Sequence, residues 1–207
     1  MPNSFSKYTF EFPVMEHFYT IQGEGYNAGK ASYFIRLGGC DVGCPWCDVK
    51  ESWEQEGHEV LSISTLIEMV LEAGAKNVVI TGGEPCMYNL KNLTDALRNA
   101  GCKTWLETSG SYEITGDWDW IVVSPKKRKE VLLSSLQRAD ELKVVAVRKP
   151  DLEWADGFVS RANPNAKLYL QPEWSREDEV LPAIINHVKK YGVWQISLQT
   201  HKYMSIP

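Results

Sequence analysis

The sequence predicts an α/β fold of mostly parallel strands, and three observations carry that expectation. Short apolar, β-branched runs alternate with amphipathic segments of helical period; no repeat, low-complexity tract or long linker separates them; and Gly- and polar-rich motifs follow one strand after another. At 207 residues with 43% apolar content, including eight Trp and nine Tyr, the chain suits one domain, 1–207, able to bury a core of its own.

SYFIRLGG (32–39) reads as a strand running into a Gly- and Cys-rich loop, and SISTLIEMVLEAG (62–74) as a helix stopped by Gly. KNVVITGG (76–83) has the continuous apolar run of a buried strand. A capped helix follows in NLKNLTDALRNAG (89–101), then strands in KTWLETSG (103–110) and DWIVVSPK (119–126). VLLSSLQRAD (131–140) reads as a helix, ELKVVAV (141–147) and KLYLQPE (167–173) as strands, and EDEVLPAIINHVKKYG (177–192) as a helix before a final VWQISLQT (193–200). In parallel sheets and barrels, ligands gather at the carboxyl ends of the strands. GGC, TGGEP, ETSG, SPK, QPE and QTHK all stand at such ends, so residues far apart in the chain are expected around one pocket.

The net charge is −5 with acidic and basic residues interspersed, which offers no footprint for sequence-independent nucleic-acid binding. The KKRK run, Lys126 to Lys129, reads as a solvated loop apart from Lys126 because acidic residues surround it. The start carries charges and Pro where a signal peptide needs an apolar core, and no run reaches membrane-spanning length, so a cytoplasmic location without membrane contact is expected. Five cysteines, three of them within eight positions, suit a metal site in a reducing compartment better than a disulfide framework.

Those three are Cys40, Cys44 and Cys47 in GGCDVGCPWCDVK. Three thiolates are one ligand short of a closed cluster or a tetrahedral zinc site. A cuboidal 4Fe-4S cluster held this way leaves one iron open, and the amino and carboxylate groups of S-adenosylmethionine (SAM) can chelate it. The competing reading is a zinc knuckle completed by a distant His or Cys. Gly38, Gly39 and Gly43 suit backbone wrapped tightly around a cluster. His58, in a charged stretch, reads as solvated and His187 falls in a charged helix, so neither reads as catalytic, and Cys86 and Cys102 read as buried structural thiols.

CDVGCPWC matches the CxxxCxxC signature of the radical SAM superfamily, and TGGEP resembles its GGE motif. With TIQGEG, FIRLGGC, CPWCD, VVITGGEP, ETSG, VSPK, LQPE and QTHKY, nearly the whole chain resembles the 7-carboxy-7-deazaguanine synthase family. That resemblance implies a shortened, partial (β/α) barrel and a homodimer. It also implies ring contraction of 6-carboxy-5,6,7,8-tetrahydropterin to 7-carboxy-7-deazaguanine with loss of ammonia, on the route to queuosine and other 7-deazapurines. An external electron donor such as flavodoxin or ferredoxin is implied with it.

By the same resemblance, Trp46, Cys47, Asp48, Gly83, Glu84, Ser109, Ser124, Pro125, Lys126, Gln171, Pro172, Glu173 and Trp174 bind SAM. Ile21, Gln22, Gly23, Glu24, Arg36, Thr81, Gln199, His201 and the terminal carboxylate of Pro207 bind the pterin, where carboxylate and amides pair with the guanidine-like ring edge and Arg36 with the substrate carboxylate. One position departs from the family. Where many members carry a Thr that helps hold Mg2+, this chain has Val49, which has no side-chain oxygen to donate. The nearest rival is an activating enzyme for a glycyl-radical protein, which shares CxxxCxxC and GGEP; QGEG and QTHK favour a closed small-molecule site instead.

Overall fold

The computed structural model describes residues 10–207. Its nine strands form one sheet in the order β3-β1-β2-β4-β5-β6-β7-β8-β9. Strands β1 (Glu11–Ile21) and β3 (Glu59–Ser62) are antiparallel to their neighbours, whereas β2 (Ala31–Leu37), β4 (Asn77–Gly82), β5 (Lys103–Thr108), β6 (Trp120–Val123), β7 (Glu141–Ala146), β8 (Lys167–Pro172) and β9 (Gln195–Ile196) run parallel. With β3 and β9 as its edges, the sheet is an open, partial barrel. Helices α1 (Ile63–Glu72), α2 (Lys91–Asn99), α3 (Leu133–Arg138), α4 (Pro150–Val159) and α5 (Glu177–Tyr191) flank it, and a short α6 (Thr200–Met204) ends the chain.

Period-2 alternation sorts each strand into two faces. Ile35, Leu37, Val78, Ile80, Leu106, Ile121, Val123, Leu142, Val144 and Leu170 join helix residues such as Leu66, Leu97, Leu136, Phe158 and Ile184 in one apolar core. The alternate residues, among them Arg36, Thr81, Glu107, Lys143 and Gln171, border the cavity on the inner face. The sheet therefore has its oil outside, under the helices, and its polar groups inside.

Three elements outside the sequence reading shape this frame. Strand β1 forms a long hairpin with β2, and the turn between them, 22–30, folds under the inner face: Gly25 N–H donates to Ser197 Oγ (2.9 Å), Tyr26 N–H to Glu141 Oε2 (3.0 Å), and the Tyr26 ring stacks on Trp120 with centroids 4.6 Å apart. Strand β3 extends the sheet beyond β1. Helix α4 supplies the crossover between β7 and β8 where the sequence reading has two consecutive strands; Pro150 stands at its first turn, where a missing N–H costs nothing. No α-helix joins β5 to β6, so the alternation fails once. No helix among the described residues is long and apolar enough to cross a membrane.

Candidate active site

The loop after β2 and the loop after β4 are laced together by backbone. Gly83 N–H donates to Leu37 O (2.9 Å), Glu84 N–H to Gly39 O (2.8 Å), Gly39 N–H to Ser52 O (2.8 Å) and Cys40 N–H to Trp53 O (2.9 Å). A Cβ on Gly83 would lie 2.4 Å from Gly39 O and 2.6 Å from Cys40 Cβ, so only glycine lets the GGE turn pass this close to the cysteine loop. Gly39, at φ 102°, needs its freedom for the same turn. Glu84 is buried, and its carboxylate accepts from Cys86 N–H (3.0 Å), Thr108 Oγ1 (2.5 Å), Ser109 N–H (2.8 Å) and the Ser109 hydroxyl. The GGE glutamate thus braces the ends of β4 and β5 against each other.

Cys40, Cys44 and Cys47 are free, half-buried thiols on one cavity. Burial raises the Cys40 and Cys44 thiols; at Cys44 the charges of Lys126 and Arg128 pull the other way. Among the described residues no three His, Cys, Asp or Glu side chains converge as on a single metal ion. A cuboidal cluster does not require it, since each cysteine binds a different iron. Three thiols on one cavity wall, with glycine backbone folded against them, fit a cluster with one iron left for another ligand.

Across the cavity lies a buried charge network. Lys143, with 4% of its side chain exposed, donates to Glu24 Oε2 (2.6 Å) and Glu107 Oε2 (2.9 Å). Gln199 Nε2 donates to Glu24 Oε1 (2.9 Å) and Gln22 Nε2 to Glu107 Oε1 (3.4 Å). Burial alone would raise the Glu24 carboxyl, but the Lys143 ammonium and the hydrogen bonds from Lys143 and Gln199 hold it at about 2. Burial and the Glu24 charge push Glu107 up, with Lys143 opposing. Three carboxylates, Glu107, Glu24 and Glu141, overcome burial and keep Lys143 charged. Glu141 sits deeper: its Oε1 has no hydrogen-bond partner, and burial, with Glu107, raises it to about 7.

The remaining polar residues stand at the carboxyl ends of the strands. Lys126 Nζ donates to Ser124 Oγ (2.5 Å) and lies 5.4 Å from the centre of the Trp46 ring; burial lowers its ammonium. Gln171 Oε1 accepts from Ser197 Oγ (2.7 Å), and Glu173 caps the turn at Ser175. Helix α6 closes the open side of the barrel. Thr200 N–H and Oγ1 bond to Gly23 O (3.0 and 2.8 Å), Lys202 Nζ reaches Asp48 Oδ2 (2.9 Å), and Pro207 O accepts from Thr20 Oγ1 (3.1 Å). Gly23 has no room for a side chain, because a Cβ would stand 2.3 Å from His201 Nδ1. Burial keeps the His201 imidazole toward its neutral form, with Glu24 opposing.

Of the cluster, SAM and pterin residues assigned from sequence, all but Pro125 and Pro172 line this cavity; both prolines are buried. Arg36 borders the cavity while its Nε donates to Glu16 Oε1 (2.6 Å). Cys86 and Cys102 are buried as read. His58 is not simply solvated: its ring is half-buried against Gly38, with Nε2 buried and unpartnered. Glu107 and Lys143 were missed, as was the apolar wall of Phe18, Phe34 and Val145. The signal for Lys143 was available, since Glu141 and Lys143 alternate with Leu142 and Val144 in one strand. For Mg2+, Val49 has no ligand oxygen and Asp48 is already paired with Lys202, so these two side chains do not make a site for it.

The radical SAM superfamily model matches residues 34–133. A 7-carboxy-7-deazaguanine synthase from Flavobacterium psychrophilum is 47% identical over 195 residues, covering 94% of this chain and 92% of that protein. The enzyme of the same name from Escherichia coli K12 is 35% identical, covering 95% and 99%. The crystal structure of QueE from Escherichia coli superposes with a TM-score of 0.80 at 34% identity, covering 91% of this chain and 93% of that one. The chain therefore belongs to the 7-carboxy-7-deazaguanine synthase family of radical SAM enzymes.

Proposed function

We propose that this chain, acting as a single radical SAM domain, converts 6-carboxy-5,6,7,8-tetrahydropterin to 7-carboxy-7-deazaguanine and ammonia on the way to queuosine or related 7-deazapurines. The observation that carries the reading is one cavity with three thiols on one wall and a lysine-bridged pair of carboxylates on another. When bound, a 4Fe-4S cluster on Cys40, Cys44 and Cys47 together with SAM supplies a 5′-deoxyadenosyl radical.

The chain's own residues bind, orient and seal. Glu24, ionised and aimed by Lys143 and Gln199, accepts from the amino and ring N–H donors of the pterin; Glu107, held by Lys143 and Gln22, offers a second acceptor. Arg36 and His201 face the polar substituents, with Ile21, Gln22, Gly23, Thr81 and the Pro207 carboxylate completing the wall. Trp46, Asp48, Gly83, Ser109, Ser124, Lys126, Gln171, Glu173 and Trp174 form the SAM side, with Pro125 and Pro172 as backbone supports. Helix α6 excludes water, which strengthens each of these contacts.

In this reading the enzyme is a cytoplasmic homodimer that takes electrons from an external carrier. Magnesium dependence is weak, because Val49 has no oxygen to offer; a large loss of turnover on EDTA treatment would refute this. The function is tested by anaerobic reconstitution with iron and sulfide, then incubation with SAM, dithionite and the pterin. Mass spectrometry is expected to find 7-carboxy-7-deazaguanine. SAM cleavage without consumption of the pterin would overturn the assignment.

A further inference from the structure

Strand β1 changes face part-way along its length. Phe12 and Val14 belong to the apolar core under the helices, so strict alternation would send Glu16 there as well. Instead the pairing of β1 with β2 slips at Met15: Val14 lies opposite Leu37 and Glu16 opposite Arg36, two steps on one strand against one on the other. A bulge of this kind moves every later side chain to the other face. Beyond it Phe18 lines the cavity, and Glu16 meets Arg36, which in turn stands beside Thr81 of β4 on the inner face.

The contact between the two is one-sided. Glu16 Oε1 accepts from Arg36 Nε at 2.6 Å, and the two Nη groups of Arg36 have no hydrogen-bond partner among the described residues. With Nε held, the end of the guanidinium keeps the planar pair of donors that matches a carboxylate. The lysines of the cavity are committed elsewhere: Lys143 bridges Glu24 and Glu107, and Lys126 bonds Ser124 beside Trp46. Glu16 keeps 40% of its side-chain exposure, and a pair so open to water adds little to stability. Its use is orientation, because a long side chain fixed before binding spares the ligand the cost of ordering it.

We propose that Glu16 is a positioning residue, which fixes Arg36 with its Nη pair toward the cavity and so sets the preference for a pterin bearing a carboxylate at C6 over one bearing an uncharged group there. The proposal rests on the pterin reading of the cavity and on Arg36 as the partner of the substrate carboxylate. Glu16 is not among the residues lining that cavity and acts through Arg36. Two effects of opposite sign separate this role from charge compensation. Were Glu16 only a neutralising charge, its removal would leave Arg36 freer to attract an anion, and the carboxylate would bind tighter. As a positioning group, its removal loosens the carboxylate and nothing else.

The test uses the cluster-reconstituted full chain with SAM and dithionite and measures 7-carboxy-7-deazaguanine. Two aromatic pterins with no hydrogen on C6, 6-carboxypterin and 6-hydroxymethylpterin, serve as competing probes. Glu16→Ala is expected to raise KM for the substrate and Ki for 6-carboxypterin about tenfold, the loss of one charge-assisted contact, with kcat within about threefold. Ki for 6-hydroxymethylpterin and KM for SAM should stay within about twofold. Glu16→Gln keeps an oxygen for Arg36 Nε–H, so the same two constants should rise only about threefold; this variant carries the test if the Ala variant does not hold its cluster. An unchanged or lower Ki for 6-carboxypterin, or an equal rise for both probes, overturns the positioning role. Equal binding of the two probes by the native chain, or undiminished discrimination after Arg36→Met, overturns the assignment of Arg36 to the carboxylate and the role of Glu16 with it. Failure of the native chain to form product from the carboxytetrahydropterin overturns the functional reading itself.

Discussion

Replacing Lys143 by Met keeps an unbranched apolar stem of similar length and removes the ammonium that bridges Glu24 and Glu107. Both carboxylates are then left in a cavity wall without their cation, at sites now 2.6 and 2.9 Å from its nitrogen. Removing one partner of a buried ion pair costs about 3–5 kcal/mol. The cavity admits some water, since Glu24 and Glu107 keep 17% and 18% of their side-chain exposure, so a loss near the lower end, about 3 kcal/mol, is expected at pH 7.5. The sign with pH follows from the charge that remains. Without the ammonium both carboxyls rise above the reference value of 4.5, so the cost is full above their folded pKa values and fades as pH falls toward 4.5. Urea denaturation of the cluster-free chain at pH 7.5 and pH 5, followed by tryptophan fluorescence, measures both. Adding Glu107→Gln to Lys143→Met should recover about 1–2 kcal/mol, because it removes one of the stranded charges. A loss under about 1 kcal/mol at pH 7.5, or one that is the same at both pH values, would refute the reasoning.

Glu141 makes a second pH prediction. Its carboxyl rises from 4.5 to about 7 in the folded chain, so above pH 7 the fold holds a buried anion at a cost of about 3 kcal/mol that is absent below pH 4.5. Relative to the native chain, Glu141→Gln should therefore gain stability between pH 5 and pH 8, and parallel stability curves would contradict this. Gly83→Ala should push the GGE turn off the cysteine loop and lower the iron bound after reconstitution; native iron content and SAM cleavage would show that the contact is dispensable. Gly23→Ala should displace His201 and α6, raising KM for the pterin more than it lowers SAM cleavage, a split that titration of both activities would reveal.

The strands carrying the site were legible because their apolar alternation and the motifs after them follow directly from burial on one face. Helix α4 escaped because KPDLEWADGFV spreads its apolar residues weakly around the helix and carries Gly157 inside it. Strand β1 escaped because Pro13 and interspersed charges disguise the alternation of Phe12 and Val14. Glu107 and Lys143 were missed for a more general reason. A charge alternating with apolar residues reads as a solvent face, and only the curvature of the sheet turns that face into the inside of a barrel. The cysteine loop was the reverse case: local spacing alone announces it, whereas its half-buried placement against Gly83 is a tertiary fact.

The central claim is that one cavity brings the radical source and the pterin together. It is tested most directly by supplying 6-carboxytetrahydropterin deuterated at C6 to the reconstituted chain with SAM and reductant. Deuterium is predicted in the 5′ position of the adenosyl group, recovered as 5′-deoxyadenosine or as SAM. An adenosyl group free of deuterium while 7-carboxy-7-deazaguanine accumulates would contradict the account.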